Sequence, residues 1–217
     1  MKGGWHIGGD VGGTFTDLIA WSEGSTPVLV KTPSTLENQA DGILRAVAAA
    51  IPEEERADIV ELLHGTTTAT NAILERQGVP TALVTSEGFR DVLELGRRTR
   101  PKVYGLRGEF EPHVPRWLRF GVAGRLDRSG AELIPLDEEA VRAVAGEIAA
   151  AGVDSVAVAL LHSYANRDHE DRVAAILEAE LPGVHVSRSV DVLPEIREFE
   201  RTVATTLNPS LSPIRMK

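Results

Sequence analysis

The stretch GGDVGGTFTDLIAW, residues 8–21, constrains this chain more than any other. Glycine loses more backbone freedom on folding than any other residue, so four glycines around one aspartate belong where the backbone turns tightly or is approached closely. The flanking segments alternate with period two. WHIGGDV precedes the turn, Phe15, Asp17, Ile19 and Trp21 alternate with Thr16, Leu18 and Ala20 after it, and PVLVK follows. Period two is a strand pattern. Residues 5–31 are therefore expected to form antiparallel strands running from the edge of a sheet to its centre, with Gly12 and Gly13 at an exposed hairpin tip.

Beyond the hairpin, helical and strand patterns alternate. PSTLENQADGILRAVAAAI reads as a helix with Ser34 as N-cap, Glu37 as its capping-box partner, and Leu36, Ala40, Ile43, Leu44, Val47 and Ile51 on one face. IVELLHGTTTATNAILERQG reads as a strand, a loop and a helix closed by Gly78, and VPTALVTS as a further strand. From Glu87 to about Phe120 periodicity fades while Arg, Pro and Gly accumulate, which marks an irregular insertion. FGVAGRLDRSGAELI reads as a hairpin. It leads into a helix capped by Asp137, with Leu136 and Val141 as a hydrophobic staple and Gly152 as its stop. SVAVALL, DHEDRVAAILEAEL and VHVS then form an alternating unit that calls for parallel pairing through right-handed crossovers. The last helix, IREFERTVATTL, is expected to end where Pro209 and Pro213 interrupt it. The class is α/β, with a subdivision into residues 1–86, 87–135 and 136–217.

Composition excludes several functions. With 42% hydrophobic and 25% charged residues, the 217-residue chain can bury a real core. Cysteine is absent, which removes disulfides, thiolate nucleophiles and Cys-ligated zinc and suits a reducing compartment, so a cytoplasmic location is expected. No window reaches the roughly 18 apolar residues of a membrane span, and the N-terminus has no signal-peptide core. A net charge of −9 opposes a phosphate backbone, although Arg97, Arg98, Arg100 and Lys102 run locally against it. Neither membrane nor nucleic acid is expected as a partner. The histidines lack HExxH or paired-ligand spacing, so zinc is not expected either.

Phosphate-binding loops use glycine so that backbone N–H groups can reach an anion. A Walker loop needs Gly-Lys-Ser/Thr opening a helix, and a dinucleotide loop needs a helix after the glycines; this chain has a strand there. What remains is a hairpin loop in which an Asp ends one strand, Gly-Gly-Thr turns, and the next strand returns. On that reading Gly12 and Gly13 take φ > 0 and expose bare donors, Thr14 and Thr16 add hydroxyls, and Asp10 holds Mg²⁺ through water. The same residues also suit a tight hairpin whose Asp and Thr merely satisfy the turn. A second loop, LHGTTTATN, surrounds a helix N-terminus with Thr66, Thr67 and Thr68, an arrangement that favours anions or ordinary N-capping.

GGDVGGTFTD, HGTTTATNAILERQG, GFRDVLELGRRTRPKVYGL and LPEIREFERTVATTLN, in this order, resemble the N-terminal region of the hydantoinase A/5-oxoprolinase family, whose relatives include acetone carboxylase β-subunits. The resemblance implies one half of an actin-like (ribonuclease H-like) ATPase and ATP-dependent opening of a cyclic amide such as a hydantoin or 5-oxoproline. In the carboxylase branch it implies activation of a ketone. A non-catalytic ATP- or phosphate-binding or subunit-interaction module is the alternative. An unstrained cyclic amide is a poor electrophile, and phosphoryl transfer to its carbonyl oxygen opens the ring carbon to water. Under this resemblance ATP and Mg²⁺ are the cofactors. Gly12, Gly13, Thr14 and Thr16 bind phosphate, Asp10 holds Mg²⁺ or orients the attacking oxygen, and Thr66 and Thr67 reach a phosphate or the ring carbonyl. His64, Arg98, Arg100 and Glu198 are candidates for substrate contact, and Glu198 with Arg201 also reads as a plain helix-surface pair. Family chains continue well past the position of Lys217, so a second half, carrying the adenosine contacts, is expected from another polypeptide or a missing C-terminal part.

Overall fold

The computed structural model describes residues 3–35, 38–97, 102, 104–105 and 111–215. The chain divides into two compact units, Met1–Glu75 and Arg76–Met216.

The first unit contains β1 (Trp5–Val11), β2 (Phe15–Trp21), β3 (Val28–Pro33), helix α1 (Gln39–Ala50), β4 (Ile59–Thr66) and helix α2 (Thr68–Leu74). Sheet order is β3-β2-β1-β4, with β1, β2 and β3 antiparallel and β4 parallel to β1. The period-two pattern decides the layering: Thr16, Leu18 and Ala20 are buried while Phe15, Asp17, Ile19 and Trp21 are exposed. Ile7, Val11, Leu18 and Ala20 pack beneath Ile43, Ala46, Val47, Ala50 and Ile51. Gly42 lets α1 lie close, because a Cβ there would stand 3.1 Å from Thr16 Oγ1.

Several local expectations are corrected in this unit. The N-cap of α1 is Asn38, whose side chain accepts from the Ala40 amide at 3.1 Å. Ser34 is engaged with the glycine loop instead, and Glu37 lies outside the described residues. The buried stripe runs through Gly42, Ile43, Ala46, Val47 and Ala50, whereas Ala40 and Leu44 face out. Helix α2 ends at Leu74 rather than near Gly78, and the left-handed residue after it is Arg76 at φ 54°.

The second unit contains β5 (Thr81–Ser86), α3 (Val92–Leu95), β6 (Arg119–Val122), β7 (Arg125–Leu126), β8 (Glu132–Ile134), α4 (Glu138–Ala151), β9 (Ser155–Ala159), α5 (Asp168–Glu180), β10 (His185–Arg188), α6 (Ser189–Val192) and α7 (Glu198–Arg215). Its main sheet is wholly parallel, in the order β10-β9-β5-β6. Strand β5 thus pairs with β9 and β6 inside the second unit. Ala82, Val84, Val156 and Val158 pack under α4 and α5, while Leu83, Ala157 and Ala159 pack toward α3 and α7. Asp137 caps α4 by accepting from the Ala140 amide at 3.0 Å, Leu136 and Val141 are both buried, and Gly152 closes the helix in the left-handed region. The expected hairpin is confined to β7 and β8, because Phe120, Gly121 and Val122 join the parallel sheet.

Helix α7 corrects the expected stop: it runs through Pro209 to Arg215. Proline in a helix interior costs about 3 kcal/mol. Burial offsets that cost, because Arg201, Thr202, Thr205, Thr206 and Leu211 are all buried. The hydroxyls of Thr205, Thr206 and Ser210 also bond backbone carbonyls of the same helix.

Glu170 is fully buried inside this unit. Its Oε1 accepts from the Leu160 amide at 2.8 Å and the Ser189 hydroxyl at 2.6 Å, and its Oε2 accepts from the Val190 amide at 3.1 Å. It thereby ties the end of β9 to the start of α6. Burial pushes this carboxyl above the usual carboxylate range, against the pull of those donors.

Candidate functional site

At the hairpin tip, the Gly12 amide donates to the Phe15 carbonyl at 3.0 Å, and the Gly12 carbonyl accepts from the Ser34 hydroxyl at 2.7 Å. The Ser34 amide donates to the Thr14 carbonyl at 2.9 Å. With those carbonyls turned toward Ser34, the Gly13 and Thr14 amides make no hydrogen bond among the described residues. The expectation that both glycines adopt φ > 0 is corrected, since neither lies in the left-handed region. They serve close approach: a Cβ on Gly12 would stand 3.0 Å from the Phe15 carbonyl oxygen, and one on Gly13 would stand 3.2 Å from Asn71 Nδ2.

The second loop meets the first. Val11 and Thr66 are partners in the β1/β4 ladder, the Thr67 amide donates to the Val11 carbonyl at 3.2 Å, and the Thr66 hydroxyl donates to the same oxygen at 3.3 Å. Asn71 Nδ2 reaches Thr67 Oγ1 at 3.4 Å and covers Gly13. Thr67 occupies the N-cap position of α2, but its side chain makes no capping bond. His64 is exposed on β4, in register with Gly9.

The carboxylates lie on the sheet face opposite α1. Asp10 and Asp17 are register partners in β1 and β2. Lys31 Nζ donates to both Asp17 oxygens at 3.0 Å and sits 5.0 Å from the Phe15 ring centroid. Asp17 is therefore ion-paired, while Asp10 is exposed and has no side-chain partner among the described residues. Gly8, Asp10, Asp17, Ile19, Leu29 and Leu63 line part of a groove of about 740 Å³ on this face. Among the described residues no three or more His, Cys, Asp or Glu gather as metal ligands. A single free carboxylate beside two free amides fits a Mg²⁺ that keeps most of its water and rides with phosphates.

Thr16 is fully buried on the α1 side, where its hydroxyl lies 3.1 Å from Ser34 Oγ, so its assignment as a phosphate donor is corrected. Arg98 and Arg100 lie outside the described residues. Arg97 is held by Glu200 through a 2.6 Å bond from Nε. Glu198 begins α7 in the second unit. It forms no surface pair with Arg201, because that guanidinium is buried and donates to the carbonyls of Glu195 at 2.6 Å and Leu160 at 2.9 Å. Sequence reasoning missed Ser34 and Asn71 at the loops. Ser34 carried an N-cap signal that a residue four positions later fulfils, and Asn71 looked like an ordinary helical residue.

The fold and the paired loops define a class: a mixed α/β chain whose first unit carries a glycine-threonine hairpin beside a second glycine-threonine loop. The model of the hydantoinase/oxoprolinase N-terminal region matches residues 6–181, and the chain belongs to that family. It is 36% identical to caprolactamase subunit alpha of Pseudomonas jessenii, over 97% of this chain and 32% of the relative. It is 28% identical to 5-oxoprolinase of Saccharomyces cerevisiae, over 100% of this chain and 20% of the relative. The nucleotide-free structure of an ATP-dependent acetone carboxylase superposes with a TM-score of 0.91 at 28% identity, covering 100% of this chain and 33% of that one. The chain thus spans about a third of the caprolactamase subunit that it matches, at 32%.

Proposed function

We propose that this chain is the N-terminal part of an ATP-dependent amidohydrolase that opens a cyclic amide of the hydantoin, 5-oxoproline or lactam type. The observation that carries this reading is the meeting of the two glycine-threonine loops beside an unpartnered Asp10. The free Gly13 and Thr14 amides hold phosphate oxygens, the exposed hydroxyls of Thr14 and Thr67 add donors, and that of Thr66 joins them only by turning from the Val11 carbonyl. Asp10 would hold Mg²⁺ through water, and the bound cation would supply positive charge against the phosphates. Ser34 keeps the Gly12 and Thr14 carbonyls turned away from the anion. The remaining two thirds of the relatives' length would supply the other wall of the cleft, so this chain alone binds phosphates open to water and turns over little ATP.

The test is ATP hydrolysis with the remaining polypeptide supplied, in the presence of hydantoin, 5-oxoproline or caprolactam. Stimulation by a cyclic amide, abolished in Asp10→Ala, is the expected result. Stimulation only by a ketone with bicarbonate would assign the chain to the carboxylase branch. Mg-ATP binding unaffected by Asp10→Ala and by a bulky residue at Gly13 would sink the proposed site.

A further inference from the structure

Asn71 sits in the middle of α2, where asparagine is one of the poorer helix formers because its amide competes with the backbone. Local bonding gives it little in return. Its Nδ2 makes one long bond, 3.4 Å, to Thr67 Oγ1, and its Oδ1 has no partner among the described residues. The same nitrogen lies against the hairpin tip, so close that a Cβ on Gly13 would stand 3.2 Å from it. Gly13 has no positive φ, so this approach is what calls for glycine there. Ser34 sets the direction of the tip. A trans peptide places N–H opposite C=O, so the Gly12 carbonyl, which accepts from Ser34 Oγ at 2.7 Å, aims the Gly13 amide away from Ser34.

We infer that Asn71 is a further binding residue of the phosphate site: its Nδ2 donates to the anionic oxygen held by the Gly13 and Thr14 amides. A carboxamide nitrogen carries two protons. One goes to Thr67 Oγ1, which orients the amide, and the other goes to the ligand. The bond to a charged oxygen is the stronger of the two, and it ties α2 to the hairpin tip through the anion. This inference rests on the phosphate reading of the hairpin.

Mg-ATP titrations on the chain assembled with the remaining polypeptide test it. Asn71→Ala should weaken binding about tenfold. Its melting temperature should be no lower than that of wild type, because alanine is the better helix former. A lowered melting temperature with unchanged binding would mark a structural residue and overturn the inference. Asn71→Asp keeps the shape and can still accept from the Thr67 hydroxyl, but it exchanges the donor for a charge that repels phosphate. It should weaken binding about a hundredfold. A residue that only braces Thr67 would give the opposite order, so binding in Asn71→Asp no weaker than in Asn71→Ala overturns the inference. Gly13→Ala crowds the same nitrogen, and combining it with Asn71→Ala should lose no more affinity than the worse single change; additive losses overturn the shared contact. The phosphate reading is judged separately. If neither Asp10→Ala nor Gly13→Val changes Mg-ATP binding, that reading falls and this inference with it, whereas binding lost in those two variants and intact in both Asn71 variants overturns this inference alone.

Discussion

Strands of similar composition reach opposite fates in the two units. In the second unit every residue of β5 and β9 is buried, whereas in β4 of the first unit Ile59 is half-buried and the rest are exposed. The difference lies in coverage. The parallel sheet has α4 and α5 on one face and α3 and α7 on the other, while among the described residues of its own unit the first sheet has α1 on one face only. Parallel strands reach full burial only when both faces are covered. The second unit therefore buries its central strands on both faces, and the first leaves one face of its sheet exposed.

Perturbations that separate stability from function sharpen this contrast. The largest effect is expected in the second unit. Glu170→Ala strands the Leu160 and Val190 amides and the Ser189 hydroxyl, and should cost about 3 kcal/mol or more in denaturant unfolding. A loss below about 1 kcal/mol would mean that the unit is not organised around this carboxylate. Its pH dependence has a definite sign. Because burial raises the folded pKa of Glu170, its contribution is fully present below the ordinary carboxylate pKa and declines as pH rises through the folded value. The deficit of Glu170→Gln relative to wild type should therefore narrow from pH 4 toward neutrality. Asp91 and Asp171, held low first by hydrogen bonds from Arg116 and Arg167, act in the opposite sense and lose their contribution on acidification.

In the open unit the order reverses, with activity more sensitive than stability. Asp10→Ala in the complete enzyme should lower turnover about 100-fold, the typical cost of losing a charge that places a metal or orients the attacking oxygen. The melting temperature should stay within about 1 °C, because Asp10 is exposed and pairs with no described side chain. A large stability loss with intact turnover would break the comparison. Ser34→Ala should cost about 1–2 kcal/mol and weaken ATP binding, since it frees the Gly12 carbonyl and leaves the buried Thr16 hydroxyl without Ser34. Thermal unfolding and nucleotide titration separate the two effects, and Ser34→Thr should restore both. The smallest change is expected for Lys31→Ala. Its pair with Asp17 is more than half exposed on both sides, so a stability loss under about 1 kcal/mol should appear in thermal unfolding and shrink in salt.

Much of this protein follows from local pattern. The alternation from Phe15 to Trp21 determined the hairpin and its inward face, and Asp137, Leu136 and Gly152 determined the bounds of α4, because those signals act within one or two turns of chain. The glycine-threonine motifs and the family membership were legible in the sequence alone. The details that depend on groups distant in sequence were decided by tertiary packing. Ser34 was claimed by the Gly12 carbonyl 22 positions earlier, so Asn38 took the cap of α1. Thr16 was turned inward beneath Gly42, and the glycines of the tip were required by the Phe15 carbonyl and Asn71 rather than by a left-handed backbone. Helix α7 continued through Pro209 because burial outweighs a local penalty of about 3 kcal/mol. Sequence patterns report the energies of neighbours along the chain, and only the folded structure can set those against contacts made across it.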